Sequence, residues 1–314
     1  MSSSSALHPI TNWTIEQLDD LAGKRYLITG ANSGIGYEAA VHLRRANADV
    51  IVASRSPEKG AEAAANLARI PSSGVVELVQ LDLASLDSIR QANDSIRHHT
   101  DGLNAVVNNA GIMQTPQRET ADGFELQFGT NHLGHFMLNY LTFDLVKARS
   151  GRIVPVSSIA HHQAEGINFE DPMHAEDYSP SRTYSHSKFA NLMFGLELAR
   201  RLEAAGSDVI SASAHPGYSA TNLQSTGPTG IFRMIYKVSN ALMAQHASDG
   251  ALPVVLAAAG KEARNGGYYG PTKRGDSRGP VGESRISKVA RDEEAAARLW
   301  SLSEELLDIK WDVT

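Results

Sequence analysis

The chain contains no cysteine, so disulfides, thiolate metal ligands and a cysteine nucleophile are excluded, and a reducing compartment suits it. It also has no long basic run: 29 Lys and Arg stand against 35 Asp and Glu, without the clustered positive charge that tracks a phosphate backbone, so nucleic acid is not an expected partner. Long apolar runs are missing as well. The strongest, Ala251 to Ala259, is about half of the roughly 20 residues that a membrane-spanning helix needs. The first residues, MSSSSALHPITNW, lack the basic start and apolar stretch of a secretory signal, and the expected location is the cytoplasm, with attachment to a membrane surface left open.

What is present is a chain of 314 residues, 42% hydrophobic, enough for one large core. Residues 1–23 read as a loosely held polar arm with a short helix near Thr14 to Leu21, and residues 24–314 as a single domain. From Lys24 onward, short β-branched runs bounded by turn residues alternate with amphipathic stretches of helical length, the pattern of βαβ units in a parallel sheet. The expected strands are Arg25 to Thr29, Asp49 to Ser54, Val75 to Leu81, Asn104 to Asn108, Arg152 to Ser157, Val209 to Ser213 and one near Gly267 to Tyr269, seven in all. The clearest helix starts near Tyr184, where Phe189, Leu192, Met193, Leu196 and Leu202 recur on one face. That face must be buried against the sheet or another subunit. Residues 222–247 break the alternation with Gly227, Pro228 and Gly230 before an apolar cluster, and read as an insertion. Lys273 to Ser287 reads as an exposed loop ahead of a helix near Asp292 to Leu306.

The first expected strand runs into TGANSGIG, Thr29 to Gly36, and then into a helix. A strand feeding a helix through glycines brings backbone N–H groups and the positive helix end close to a pyrophosphate. Gly30 would make the turn, Gly34 and Gly36 would allow close approach, and Asn32, Ser33 and Ile35 lie in the same loop. At the end of the second strand, where an Asp or Glu would hold the ribose hydroxyls of NAD, stand Ala53, Ser54 and Arg55; a small polar residue and a guanidinium favour the 2′-phosphate of NADP(H). Arg55 also fits a solvated charge at a helix start, and Lys59 reads as surface. Asp82 and Leu83 end the third strand and Asn109, Ala110 and Gly111 the fourth, all at the edge where open parallel sheets bind ligands. Asp82 serves equally as a plain helix cap.

Tyr184 and Lys188, in YSHSK, are four residues apart and share a helix face. A phenol titrates near 10, and a neighbouring cation lowers that value far enough for proton exchange at neutral pH. Ser157 and Ser158 end the preceding strand, and only one of the two can reach a substrate, because strand neighbours point to opposite faces. Asn131 fits a helix cap. The histidines at 132, 135, 161 and 162 have no ligand-like spacing with Cys or carboxylates, so no metal is expected. No GxSxG elbow surrounds Ser157 or Ser158, which removes a serine hydrolase.

Taken together, TGANSGIG, NNAG, the SS pair, YSHSK and HPG resemble the short-chain dehydrogenase/reductase family over about Lys24 to Pro271. The long loop between Ser158 and Tyr184 and the closing GGYYGP look like its retinol-dehydrogenase-like reductases. The resemblance implies a doubly wound (Rossmann) α/β fold, with Ser158 hydrogen-bonding the substrate oxygen, Tyr184 passing the proton, Lys188 also holding the nicotinamide ribose, and Asn131 holding a water that links Lys188 to solvent. It implies further that Asp82 meets the adenine amino group, that NNAG walls the ribose, and that Pro216, Gly217 and Thr221 hold the carboxamide and phosphates, with His215 structural. Pro155 departs from the Asn that relatives often carry, and leaves open an irregular strand before Ser158. The expected activity is hydride transfer between NADP(H) and a carbonyl or alcohol carbon of an apolar substrate. Carbon–carbon double-bond reduction and a non-catalytic dinucleotide sensor are the alternatives. The apolar helices beginning near Asn131 and Tyr184 could pair two copies across a two-fold axis.

Overall fold

A computed structural model describes residues 9–218 and 246–314 of the chain. Six parallel strands form its centre: β1 (Arg25–Thr29), β2 (Asp49–Ser54), β3 (Val76–Gln80), β4 (Ala105–Asn108), β5 (Arg152–Pro155) and β6 (Ile210–Ser211), in the order β3-β2-β1-β4-β5-β6. The order reverses between β1 and β4, and in an open sheet of this kind that is where a crevice opens beyond the carboxyl ends of the strands. Pro155 does not disturb the register, since Asn108 pairs with Pro155 and the Val156 N–H still reaches the Asn108 carbonyl at 3.2 Å.

Strand alternation sorts the side chains into two cores. Leu27, Ile51, Val106 and Ile153 face one side, under α3 (Leu86–His99), α4 (Gly134–Lys147) and α5 (Pro180–Ala204). Ile28, Val52, Val107 and Val154 face the other, under α1 (Gly34–Arg45), α2 (Pro57–Ala68) and α6 (Ala247–Ala259). The apolar run at Ala251 to Ala259 is therefore a helix of this second layer, buried along most of its length. Helix starts follow local chemistry: Ser56 and Ser85 accept the N–H groups of Lys59 and Ser88, each at 3.3 Å, satisfying donors that the helix itself leaves unpaired.

Two expectations need correction. The central sheet has six strands, not seven. The run expected as one strand at Val209 to Ser213 divides into β6 and β7 (Ser213–Ala214), with the Ala212 N–H bonded to Ile153 of β5 and the Ser213 N–H to Gly267. The expected last strand, observed as β8 (Tyr268–Lys273), pairs in parallel with β7 and antiparallel with β9 (Arg278–Glu283), which gives a separate three-stranded sheet. The tract Lys273 to Ser287, expected as a loop, thus supplies β9. Its glycines and charges hid a hairpin whose partner contributes the backbone bonding.

The described part of the N-terminal arm is pinned rather than loose. Trp13 is buried, bonds backbone to Val281 of β9 at 2.8 Å, and donates its ring N–H to Glu262 at 3.1 Å; the helix there is a single turn, Ile15–Gln17. Aromatic side chains of α4 and α5 are covered from within the chain. Trp300 on α7 (Glu293–Leu307) and Trp311 beyond it pack against Phe136 with ring centres 4.9 and 5.2 Å away, and Phe143 and Phe194 complete the cluster. Trp311→Ala should destabilise the protein by about 3–5 kcal/mol, the range for deleting a buried aromatic side chain, read from equilibrium denaturant unfolding.

Candidate active site

The strand that ends at Thr29 must reverse direction to enter α1, and the chain does so through Gly30 (φ +68°) and Gly34 (φ +59°), a backbone region that residues with a Cβ rarely adopt. Gly36 is required for a different reason. A Cβ there would run into the Asn109 amide and the Gly30 carbonyl. Asn109 Nδ2 donates to the Thr29 carbonyl at 2.8 Å, and the Ala110 N–H to Thr29 Oγ1 at 2.9 Å. The end of β4 is thereby stitched to the glycine turn across the point where the sheet order reverses.

Beyond these strand ends lies a cavity of about 540 Å³, within the usual range of small-molecule sites. Gly30, Asn32, Ser33, Gly34 and Ile35 line it from the turn, Arg55 from just past β2, Asp82 and Leu83 from past β3, and Asn109, Ala110 and Gly111 from past β4. Gly36 lies behind this surface, as close packing demands. The two residues expected to favour a 2′-phosphate separate: Ser54 is buried with its hydroxyl turned to the Ser56 carbonyl at 3.1 Å, whereas Arg55 is exposed on the cavity wall and makes no ion pair among the described residues. Asp82 is not the cap of α3, because Ser85 has that role. Its Oδ1 accepts the Ala84 N–H at 3.0 Å, and its side chain stands at the cavity.

The opposite wall carries Ser158, Tyr184 and Lys188. Ser157 also lines the cavity, and the two hydroxyls are engaged differently. Ser157 is buried and donates to the Lys188 carbonyl at 2.7 Å, while Ser158 is half-buried and accepts the Ala160 N–H at 3.2 Å, so its own proton is not committed by that bond. Lys188 is buried; its ammonium donates to the Val156 carbonyl at 3.0 Å, and burial pulls its pKa down to about 8. Asn131 does not line the cavity. It sits fully buried in a π-wound turn, Gly129–Leu133, rather than at a helix cap, and its amide bonds both the N–H and the carbonyl of Ile112, at 2.8 and 2.9 Å, and Ser187 at 2.9 Å.

Pro216 and Gly217 close the cavity on the far side. Gly217 has φ +67°, and its N–H donates to His215 Nδ1 at 3.2 Å, while His215 Nε2 meets Ser284 at 2.8 Å, so His215 holds the turn from behind. Thr221 and residues 222–245 of the expected insertion lie outside the described residues. The histidines once weighed as metal ligands are engaged separately: His132 with Ser303 at 2.8 Å, His161 with the Ser158 carbonyl at 2.7 Å, and His162 against the His161 ring. Sequence reasoning missed Met113, Gln114, Gln163, Ser181 and Tyr218 on the cavity wall. They sit outside the motifs, and only the fold brings them there.

The described geometry fits a dinucleotide: two glycines forced by φ, a third by close approach, and a polar-edged cavity along the strand ends. The family model described as short chain dehydrogenase matches residues 24–231, and the chain belongs to this family of nicotinamide-dinucleotide oxidoreductases. Within it, the chain is 36% identical to human retinol dehydrogenase 12 (93% of this chain, 89% of that protein) and 38% identical to human retinol dehydrogenase 14 (91% and 87%). The solved structure of an uncharacterised protein from Mycobacterium paratuberculosis is 39% identical, covering 96% of this chain and all of the other at a TM-score of 0.79.

The buried ammonium has a consequence for stability. With a folded pKa of about 8 against roughly 10.4 unfolded, the unfolded chain holds more protons between those values. The desolvation penalty is present in full below pH 8 and is relieved as pH rises towards 10.4. Lys188→Met should therefore raise the melting temperature of the ligand-free protein at pH 7, by up to about 3 kcal/mol of stability, and the gain over wild type should shrink above pH 8 in thermal scans.

Proposed function

We propose that the protein is an NADP(H)-dependent oxidoreductase that transfers a hydride between the nicotinamide and a carbonyl or alcohol carbon of an apolar substrate. The observation that carries this reading is the convergence of Ser158, Tyr184 and Lys188 on the same cavity as the glycine turn. The bound cofactor supplies the hydride chemistry. In the reducing direction, Ser158 donates a hydrogen bond to the substrate oxygen as charge develops on it, and Tyr184 delivers the proton. Lys188, charged below about pH 8, favours the phenolate that remains and holds the nicotinamide ribose. Asn131 supports the relay from behind.

Gly30, Asn32, Ser33, Gly34, Ile35 and Gly36 would cradle the phosphates, Asp82 and Leu83 the adenine, Asn109, Ala110 and Gly111 the ribose, and Pro216, Gly217 and Thr221 the carboxamide side. Arg55, exposed on the cavity wall where no carboxylate of β2 stands, supports a phosphorylated ribose, since a guanidinium offers paired donors and a fixed charge. The names of the relatives, retinol dehydrogenases, support an apolar alcohol or aldehyde. No helix among the described residues is long and apolar enough to cross a membrane.

Two measurements test the reading. In a cofactor-consumption screen of apolar aldehydes and ketones, Tyr184→Phe should lower kcat at least about 100-fold while the NADPH dissociation constant stays within threefold; equal turnover would end the assignment of Tyr184. Arg55→Asp should weaken NADPH about tenfold or more and leave NADH binding unchanged or improved. An unaltered preference in titrations with both cofactors would remove Arg55 from the phosphate site.

A further inference from the structure

His135 is buried one turn into the helical segment that follows Asn131, and it touches both halves of the site. Its Nδ1 lies 2.9 Å from the Asn131 carbonyl and its Nε2 2.9 Å from Thr29 Oγ1. A carbonyl oxygen can only accept, so Nδ1 carries the proton; Nε2 then offers a lone pair, and the Thr29 hydroxyl donates to it. The same Thr29 oxygen accepts the Ala110 N–H at 2.9 Å. A directed chain results, from Ala110 N–H to the Thr29 hydroxyl to Nε2, and from Nδ1–H to the Asn131 carbonyl. Burial, with the nearby Lys188 charge adding to it, keeps the ring neutral, with its pKa down at about 3.

Both amide hydrogens of the Asn131 side chain and one lone pair of its Oδ1 are already engaged. Its Oδ1 accepts from Ile112, and its two amide hydrogens go to Ile112 and Ser187. Its main-chain carbonyl, which accepts from the His135 ring at 2.9 Å, lies in the π-wound turn, where the Gly134 N–H reaches back five residues, to Gly129.

We propose that His135 is a positioning residue of the proton relay: as the Nδ1–H tautomer it fixes the Asn131 carbonyl, and through Thr29 it sets that carbonyl in register with the turn that seats the dinucleotide. The inference rests on the oxidoreductase reading above. Residues that act through another group show themselves in kcat and its pH dependence more than in ligand affinity.

His135→Leu removes both bonds. Thr29 can then turn its hydroxyl to the Val107 carbonyl, 3.3 Å away, while still accepting from Ala110, so cofactor affinity should survive. His135→Asn is too short for Thr29 but can donate one turn back, as Asn139 does to the His135 carbonyl at 2.8 Å. In His135→Leu, kcat is expected to fall about tenfold or more and the ionisation limb of the kcat profile to move by about half a pH unit or more, with NADPH affinity within threefold; His135→Asn should recover most of both. A folded His135→Leu with wild-type kcat and pH profile overturns the proposal, as does a loss of kcat with an unmoved profile and no recovery in His135→Asn. Nitrogen-15 imidazole spectra of the wild-type protein with NADP⁺ give a check independent of variants: a protonated Nδ1 throughout pH 5–9 is expected, and an Nε2–H tautomer would refute it. Wild-type protein that binds NADPH yet reduces no carbonyl would instead overturn the parent reading, and this role with it.

Discussion

A buried ammonium is the constraint around which the rest of the site is arranged. Lys188 sits in the interior with the Val156 carbonyl as a partner, and a cation in such a place is disfavoured unless the surroundings over-determine it. The surroundings here are rigid. Lys188 is held by a 25-residue helix, Pro180–Ala204, whose backbone is tied to the end of β5 through the Ser157 hydroxyl at 2.7 Å, and whose apolar face is locked by the tryptophans of the C-terminal segment. Much of the molecule's hydrophobic packing on that side thus keeps one polar group where packing alone would not put it, the usual relation between stability and a functional site.

The same logic joins the two walls of the cavity. Thr29 is a single hydroxyl at the end of β1, yet it receives the backbone of β4 and gives its proton to a histidine on the helix that carries Asn131. β1 and β4 are paired as far as Ile28 and Val107, and these side-chain hydrogen bonds carry the connection past the strand ends, at the point of reversed order where the crevice opens. The glycine turn and the wall that carries Asn131 are therefore one bonded unit rather than two surfaces that happen to face each other.

How much of this was legible beforehand depended on whether a signal was local. β1 and β2 ran over the expected residues, and the glycine turn and YSHSK each named part of the cavity wall, because each motif reflects a steric or electrostatic demand met within a few residues. The hairpin partner Arg278–Glu283 was hidden, since its glycines and charges read as loop until β8 is beside it. The strand expected near Gly267 left the central sheet for the same reason: neither its partner nor its sheet is written in its own composition. Gln114, from a loop, and Gln163, from the short 3-10 helix Ile159–Gln163, reached the cavity with no motif at all.

The amino-acid order alone determined where the chain turns, which faces are apolar and which side chains have chemistry to offer, because φ preferences and periodicity act at short range. Only the tertiary structure turned the Ser157 hydroxyl to the Lys188 carbonyl, turned Ser54 away while leaving Arg55 on the wall, and buried Asn131 with the His135 ring against its carbonyl. Those outcomes depend on which hydrogen-bond partner stands within about 3 Å, and such neighbours come from strands and helices far apart in sequence.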